Sequence, residues 1–380
     1  MSQTSKRLLV LVLPLAMAVA AGVGLLSREF AFGGSASGNS SETSIVSRLS
    51  GYRIPDSLNF CGEAMPLAKE DVRERMEQAF YTELSDAQII LDLKRSGEYF
   101  PYIEQKLREM NLPGDLKYLA VAESALRNLV SYRDAAGIWQ FTPETARRYG
   151  LKINYYVDER FNFTKSTDAA LRCLSDLHSM LGSWTLAAAA YNMGTNGIKR
   201  TVNYQMTDDY YKLFLNDETS RFVFRIVALK QIMSHYKSYG FDLQEKDFYK
   251  PADVRTVTVK YLQNLAAWAR QQGTDLKEVK YLNPWLISDA VPLGTWSVDL
   301  PAVCKPPIFA SPALLAVDSS SSATSRLAYV VKRGDSLTKI AETYGVSIRD
   351  LIQWNSLEGD TYLRAGQKLI IIQTDANFVR

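Results

Sequence analysis

The segment that decides the fold is residues 113–124, with the sequence Pro-Gly-Asp-Leu-Lys-Tyr-Leu-Ala-Val-Ala-Glu-Ser. Its apolar residues recur at three- and four-residue spacing, which predicts a helix, and Asp115 is placed to cap the N-terminus of that helix. Glu123 falls on or beside the apolar face, where burial would disfavour the ionised carboxylate and raise its pKa. On this segment alone, Glu123 is either such a buried acid or an ordinary solvated helix residue.

Helical periodicity extends from this segment in both directions, over about residues 61–245. Apolar residues recur at helical spacing in Val72–Phe80, Ile89–Leu93, Ile103–Met110, Leu116–Leu126, Ala169–Leu181, Trp184–Tyr191 and Phe222–Tyr236. The sequence therefore predicts a mostly α-helical body.

The region after residue 250 contains two similar segments at an offset of 72 residues, so that position 264 corresponds to position 336. A fixed period indicates duplicated structural units. Each unit is predicted to contain a strand, a helix ended by glycine, a second helix and a second strand, which makes the fold class α+β. The matched pairs are Asn264-Leu265 with Ser336-Leu337, Ala269 with Ala341, Gly273 with Gly345, Asn283 with Asn355 and Gly294 with Gly366. In the second unit the predicted elements are Tyr329–Lys332, Leu337–Tyr344, Ser347–Asn355 and Gln367–Ile372.

The first residues predict export. Lys6 and Arg7 precede an uncharged apolar run over residues 8–26, which is typical of a secretory signal or of an uncleaved membrane anchor. Both interpretations place the protein outside the cytoplasm, in the periplasm or cell envelope. Which of the two applies stays open.

Composition excludes several classes of function. The charged residues are of both signs and sum to a net charge of +3, so a nucleic-acid partner is not expected. The chain has two histidines and three cysteines, without a Cys-x-x-Cys pair. This pattern predicts neither a metal site nor Cys–His nucleophilic chemistry. His178 is expected to be a partly exposed surface residue. An oxidising compartment would allow two of Cys61, Cys173 and Cys304 to pair, and the sequence leaves the pairing open.

Short motifs follow the helix of Glu123 in a fixed order. They resemble the signature of soluble lytic transglycosylases, lysozyme-like enzymes that cut peptidoglycan glycan strands, and they span most of residues 95–240. The nearest branch is the membrane-bound lytic murein transglycosylase D type, which couples this domain to C-terminal LysM modules. The motifs are Glu123-Ser124, Ser131, Ala136–Phe141, Thr145-Ala146, Tyr149–Leu151, Asp158–Arg160, Ala169-Ala170 and Ala189–Gly194.

This resemblance implies a role for five residues. Glu123 would be the catalytic acid and base, while Ser131, Gln140, Tyr191 and Asn192 would line the groove and hold the sugar. The implied reaction cleaves the bond between MurNAc and GlcNAc and closes a 1,6-anhydro ring on MurNAc. It needs neither a metal nor another cofactor, and its substrate partner is the peptidoglycan glycan strand.

Other motif residues are interpreted one group at a time. Trp139 and Phe141 either stack on sugar faces or pack in the core. Asp158–Arg160 is predicted to form an ion-paired turn that stabilises the fold. The segment Glu218–Phe222 resembles a family motif that often ends in tyrosine, so this chain lacks the tyrosine hydroxyl at Phe222.

The second repeat unit resembles LysM, through Tyr329–Leu337, Ile340-Ala341, Trp354-Asn355 and Gly366–Leu369. LysM modules bind N-acetylglucosamine-containing glycans through two adjacent loops. In the first unit Leu262-Gln263 stands in place of Gly334-Asp335, so we expect a degenerate module that packs on the catalytic domain. The implied glycan-binding residues are Gly334, Asp335, Ser336, Leu337 and Asn355.

The predicted domains combine these observations. They are a signal peptide or anchor (1–27), a flexible linker (28–60), a lysozyme-like transglycosylase domain (61–245), a degenerate LysM-like module (250–303), a Pro/Ser-rich linker (304–326) and a LysM domain (327–374).

Two alternative functions stay open. A muramidase-type hydrolase would need a second carboxylate beside the bond. The sequence supports only Glu123, because Asp134 lies in a connecting loop and has no counterpart as a nucleophile in the family. A non-catalytic, peptidoglycan-binding envelope protein is the other alternative. Whether cleavage occurs inside strands or at their ends is not predicted.

Overall fold

The structure is a computed structural model that describes residues 49, 51–292, 294–303, 325–332, 334–344, 346, 348–355, 357 and 363–373. The predicted signal or anchor over residues 8–26, most of the two predicted linkers, and Cys304 lie outside these residues. Within the described ranges, none of the helices combines the length and apolar character needed to span a bilayer.

The first part of the described chain is helical, as its periodicity predicts. Two predicted segments, Ile89–Leu93 and Ile103–Met110, belong to one helix that continues through Pro101. The helices are α1 (Glu70–Ser85), α2 (Gln88–Glu109), α3 (Lys117–Ser124), α4 (Pro143–Arg148), α5 (Phe163–Leu181), α6 (Trp184–Met193), α7 (Thr195–Gln205) and α8 (Asp217–Ser234).

Helix α8 lies at the centre of this body and packs against α1, α3 and α6. Phe80 of α1, Leu119 of α3 and Phe224 of α8 are all fully buried. Each such side chain contributes about 1.5–3 kcal/mol when it leaves water. The core therefore fixes α3 and α6, the two helices that carry Glu123 and Tyr191, against one common support.

The packed body begins earlier than predicted. A short hairpin pairs β1 (Asn59–Phe60) with β2 (Glu63–Ala64). Ile54, Leu58 and Phe60 are 7%, 8% and 0% exposed and belong to the main core. The predicted linker over residues 28–60 is therefore wrong in its last part, because these apolar side chains are buried.

The predicted N-cap at Asp115 is also wrong. Residues Gly114–Leu116 form a 3-10 turn ahead of α3, and the residue at the N-cap position of α3 is Leu116. The Asp115 carboxylate instead accepts hydrogen bonds from the Cys61 amide and the Lys230 ammonium, both at 2.7 Å. Asp115 thus ties the hairpin and α8 to the start of α3.

The two repeat units have the predicted strand–helix–helix–strand order. In each unit the two strands pair antiparallel. Together with the helical body they confirm an α+β fold. The first unit contains β3 (Val254–Val259), α9 (Leu265–Gln271), α10 (Leu276–Leu282) and β4 (Trp296–Pro301); the second contains β5 (Ser325–Val330), α11 (Leu337–Tyr344), α12 (Ile348–Asn355) and β6 (Lys368–Gln373).

The first unit packs on the helical body, as expected for it. Tyr156 and Val157 of the body share one hydrophobic cluster with Trp285 and Leu286 of the unit. The Asp158 amide also donates to the Trp285 carbonyl at 2.9 Å. The contact therefore joins apolar packing to main-chain pairing.

Candidate active site

Glu123 lies at the penultimate position of α3. The helix ends directly after it, because Ala125 and Leu126 both adopt the left-handed conformation, with φ of 54° and 55°. The α3 residues just before Glu123 are buried, and Val121 is fully so. Glu123 itself keeps partial access to solvent. The residue is thus largely surrounded by protein, and part of it remains exposed.

The surroundings of Glu123 favour its protonated form. Burial raises the pKa of this carboxyl to about 8, Arg225 opposes the rise, and the Glu218 carboxylate adds to it. The carbonyl end of a helix also carries partial negative charge, which disfavours an anion there. Near neutral pH, Glu123 is therefore an acid with a proton to donate, in line with the buried-acid interpretation of its helix.

Tyr191 on α6 lies beside this acid. Its hydroxyl donates to the Trp139 carbonyl at 2.7 Å, and its ring packs 6.1 Å from that of Phe141. Burial raises the pKa of Tyr191 well above its usual range, and the charge of Glu123 acts in the same direction. Tyr191 therefore stays protonated and holds the 136–141 loop against α6.

Asn192 joins α6 to α8. Its side-chain oxygen accepts from the Thr219 hydroxyl at 2.8 Å, and its side-chain nitrogen donates to Glu218 Oε1 at 3.2 Å. Glu218 thus enters the site as a second carboxylate near Glu123. The sequence analysis assigned no role to Glu218. The signal that could have identified it is the motif Glu218–Phe222, which begins with this residue.

Ser131 and Gln140 brace the loop next to the acid. The Ser131 hydroxyl accepts from the Ala135 amide at 3.0 Å. The Gln140 side chain donates to the carbonyls of Leu129 at 3.1 Å and Gly137 at 2.7 Å. Glu123, Tyr191 and Asn192 thus lie on helices packed around α8, while Ser131 and Gln140 shape the neighbouring loop.

Trp139 packs in the core. It is fully buried, and its indole nitrogen donates to the Thr167 hydroxyl at 2.9 Å. Phe141, at 2% exposure, is likewise a core residue. The sugar-stacking interpretation of these two rings is therefore wrong. Phe222 is 6% exposed and also belongs to the core, where a tyrosine hydroxyl would need a partner.

The Asp158–Arg160 turn is structural, as predicted. Arg160 forms a two-pronged ion pair with Asp158, with the shorter bond at 2.7 Å, and donates to the Phe141 carbonyl at 3.2 Å. It also contacts Asp134 Oδ1 at 3.4 Å. Gly137 has φ of 82°, and a Cβ there would collide with the Arg160 carbonyl. The turn and the glycine together fix the loop beside Glu123.

The hairpin supports α6 through Glu63. This carboxylate accepts from the Ser183 hydroxyl at 2.9 Å and the Thr185 amide at 3.0 Å, and also from the Trp184 amide. Acidic groups at a helix N-terminus satisfy its free amides and suit its dipole. Glu63 therefore anchors the helix of Tyr191, although the sequence offers no local signal for it.

Neither predicted disulfide partner within the described residues is bonded. Cys61 and Cys173 are free thiols, and burial raises the pKa of both. His178 is partly exposed, as expected, and stacks on Trp184 with ring centroids 3.9 Å apart.

The predicted glycan-binding loop of the second unit is shaped by its own side chains. Asp335 accepts from the Tyr329 hydroxyl at 2.5 Å, and this bond lowers the pKa of Asp335. The Ser336 hydroxyl caps α11 by accepting from the Lys339 amide at 3.2 Å. Gly334, directly before Asp335, adopts a left-handed φ of 87°. Main-chain groups of this loop thus have a fixed arrangement.

Asn355 has the same structural role as its repeat partner. Asn283 donates to the Asp299 carbonyl at 2.6 Å and accepts from the Asp299 amide at 2.8 Å. Asn355 exchanges the same pair of bonds with Ile370, at 2.8 Å and 2.5 Å. The amide side chain is committed to joining a helix to a strand. Leu337, also predicted to bind glycan, is half-buried at the start of α11.

Three family models match parts of the chain. The model of the transglycosylase SLT domain matches residues 100–214. The model of the LysM domain matches residues 329–371, and that of the soluble lytic transglycosylase C-terminal LysM-like domain matches residues 255–296. The chain therefore contains an SLT domain followed by two LysM-like units. Its SLT match holds Glu123, Tyr191 and Asn192, whereas the hairpin with Glu63 lies outside it.

Curated relatives agree with these domain assignments. The chain is 32% identical over 292 residues to the membrane-bound lytic murein transglycosylase D of Escherichia coli strain K12, a match that covers 73% of the chain and 64% of the relative. Shorter matches, each over 43 residues and 11% of the chain, relate it to the N-acetylmuramoyl-L-alanine amidase XlyA of Bacillus subtilis at 49% identity and to an autolysin of Enterococcus faecalis at 51%. They cover 14% and 6% of those proteins.

Proposed function

We propose that this SLT-domain protein is a lytic transglycosylase that cleaves peptidoglycan glycan strands, with Glu123 as catalytic acid and base. The observation that carries the proposal is the state of Glu123, a partly exposed residue at the end of α3 whose burial raises the pKa of its carboxyl group to about 8. A carboxylic acid that keeps its proton near neutral pH is suited to protonate a departing sugar oxygen. The named activity of the Escherichia coli relative supports the choice of substrate.

In the first step, Glu123 donates its proton to the glycosidic oxygen between MurNAc and GlcNAc. The bond between that oxygen and C1 of MurNAc breaks, and GlcNAc leaves with a free hydroxyl. Positive charge develops at C1, where the N-acetyl oxygen of the same MurNAc stabilises it. Glu123 is now a carboxylate, held close to the reacting sugar by the end of α3.

In the second step, the Glu123 carboxylate accepts the proton of the MurNAc 6-hydroxyl. The oxygen of that hydroxyl bonds to C1 and closes a 1,6-anhydro ring. Glu123 regains its proton, so the enzyme returns to its starting state and no water is consumed. Tyr191 and Asn192, with Ser131 and Gln140 in the adjoining loop, position the sugar for both transfers.

A muramidase-type hydrolase is the second candidate, and Glu218 favours it. Hydrolytic glycosidases use two carboxyl groups that flank the bond. Glu218 contributes a negative charge close enough to raise the pKa of Glu123. However, Glu218 is hydrogen-bonded to Asn192. This bond suits an orienting role better than the activation of water.

The repeat units would keep the enzyme on its polymer. We assign glycan binding to the second unit, residues 327–374, through the Gly334–Leu337 loop. A weak module on a linker raises the local concentration of an enzyme on an insoluble substrate. A cell-envelope location follows from this substrate, and residues 8–26 would supply export or anchoring.

A zymogram with peptidoglycan in the gel tests the proposal. Wild-type protein is expected to clear the gel, and Glu123→Gln, which keeps the shape of the side chain, is expected not to. Clearing by folded Glu123→Gln protein would remove Glu123 as the catalytic group. If wild-type protein binds peptidoglycan and never clears it, the envelope-scaffold alternative is correct.

A further inference from the structure

Two arginines meet the carbonyl end of the helix that carries Glu123. Arg225 on α8 donates to the Ala122 carbonyl at 2.9 Å, and Arg95 on α2 donates to the Ala125 carbonyl at 3.2 Å. The last carbonyls of a helix have no donors within the helix, and cations near them are stabilising. The two guanidinium groups therefore complete the end of α3 directly beside the proposed catalytic residue.

Each arginine also pairs with a carboxylate, Arg225 across two helices and Arg95 within its own helix. Glu83 on α1 accepts from Arg225 Nε at 2.8 Å. Asp92 on α2 lies 3.6 Å from Arg95 and also accepts from Gln88 at 2.8 Å. Burial raises the pKa of both acids, that of Asp92 to about 6. Two arginines and two acids thus form a cluster at the end of α3, next to Glu123.

The placement of Arg225 is the sensitive part of this cluster. Ala122, whose carbonyl Arg225 contacts, immediately precedes Glu123. Of the charges that act on Glu123, that of Arg225 is the one that favours the ionised form. A guanidinium is a strong partner for a carboxylate, and an arginine paired with Glu123 would hold that group ionised. An ionised Glu123 has no proton for a leaving sugar oxygen.

We propose that Glu83 is a positioning residue that binds Arg225 and holds it on the Ala122 carbonyl, so that the guanidinium does not form an ion pair with Glu123. The inference deepens the proposed function and rests on it. One carboxylate neutralises the cation and fixes its direction, while the carbonyl at the end of α3 occupies a second N–H. Arg225 then supports the helix without removing the acid from its protonated state.

Other groups around Glu123 leave this assignment intact. Glu218 and Arg225 face it from α8, and Tyr191 faces it from α6. Asp92 and Arg95 act from α2, one step further away, and Asp92 interacts with Glu83 and Arg225. Arg225 is the cation of this set that acts on Glu123, and Glu83 is its ion-pair partner.

The experiment measures the pKa of Glu123 directly, by NMR titration of carboxyl-labelled glutamate in the full protein without substrate. Glu123→Gln identifies the resonance. Glu83→Gln is expected to lower the pKa of Glu123 by about half a pH unit or more, because the freed Arg225 retains 46% side-chain exposure and is partly screened. Arg225→Gln is expected to raise that pKa. The alkaline limb of the activity profile should move in the same two directions.

Glu104→Gln is the matched control. Glu104 pairs with Lys117 at 2.6 Å, at the opposite end of α3, so its loss frees a cation on the same helix but away from Glu123. This variant should leave the pKa of Glu123 unchanged. Shifts of the same sign in Glu83→Gln and Arg225→Gln would overturn the inference, and so would no shift in either folded variant. Since the titration needs no turnover, an inactive wild-type protein would defeat the proposed function alone.

Discussion

The Tyr191 hydroxyl donates to the main-chain carbonyl of Trp139 at 2.7 Å, across 52 residues of sequence. Trp139 is fully buried and is held in turn by Thr167 on α5. A single phenolic hydroxyl therefore joins the helix that carries Asn192 to the loop that carries Gln140. The two parts of the proposed sugar site keep their spacing through this bond.

Tyr191→Phe should weaken both stability and activity. The loss of one hydrogen bond from a buried carbonyl is expected to cost about 1 kcal/mol in the free energy of unfolding. A small displacement of the loop is expected to lower kcat/KM by roughly tenfold or more, since catalytic geometry tolerates little misplacement. Denaturant unfolding and a soluble-fragment assay measure the two effects. Tyr204→Phe, at a side chain 87% exposed, is the control and should change neither.

The pH dependence of kcat/KM should follow Glu123. The first step needs the protonated acid, and the pKa of that acid is about 8 in the folded protein. We expect kcat/KM to fall about tenfold for each pH unit above that pKa. An alkaline limb near the ordinary glutamate pKa would contradict the raised pKa of Glu123, and a limb that no Glu123 variant loses would remove Glu123 as the proton donor.

Removal of the Glu123 charge should stabilise the protein. The pKa rises from 4.5 in the reference state to about 8 on folding, so the folded state binds this proton more tightly than the unfolded state. That advantage is complete below the lower value and is lost as the pH rises towards the higher one. Glu123→Gln should therefore exceed wild type by on the order of 3 kcal/mol near pH 7 and by almost nothing near pH 4.

Denaturant unfolding of both proteins at the two pH values measures this difference. Equal stability of wild type and Glu123→Gln across the range would mean that Glu123 is solvated in the folded state. In that event the acid would lack the raised pKa on which its proposed role depends.

Truncation after Cys304 should separate binding from cleavage. Loss of the second repeat unit is expected to reduce sedimentation with peptidoglycan sacculi strongly, because the module raises local concentration on the polymer. Turnover of soluble glycan fragments should change little, since the SLT match ends at residue 214. Unchanged sedimentation would show that this unit does not hold the protein on the wall.

Local patterns in the sequence predicted the parts of the fold that depend on local order. The period of α3 placed Glu123 beside an apolar face, and the repeat offset predicted two strand–helix–helix–strand units. Asn283 and Asn355 show why the second prediction holds, since each joins its own helix to its own strand through equivalent bonds. Such contacts span 15 or 16 residues and recur with the repeat.

Contacts between distant segments could not be predicted in this way. Glu83 lies 142 residues from Arg225, and Glu63 lies 122 residues from the Thr185 amide that it caps. Neither acid has a motif of its own, and Glu63 follows a segment whose burial was not expected. Trp139 was ambiguous for the same reason, because an aromatic residue in a loop motif serves equally well in a core or on a sugar.

Mass analysis of the fragments released from purified sacculi tests the central claim most directly. If Glu123 recovers its proton from the MurNAc 6-hydroxyl, the new MurNAc ends are anhydro rings. These ends are one water lighter than reducing ends, and they take up no label from heavy-oxygen water. Reducing ends of full mass that carry the heavy oxygen would contradict that claim and would make the protein a hydrolase.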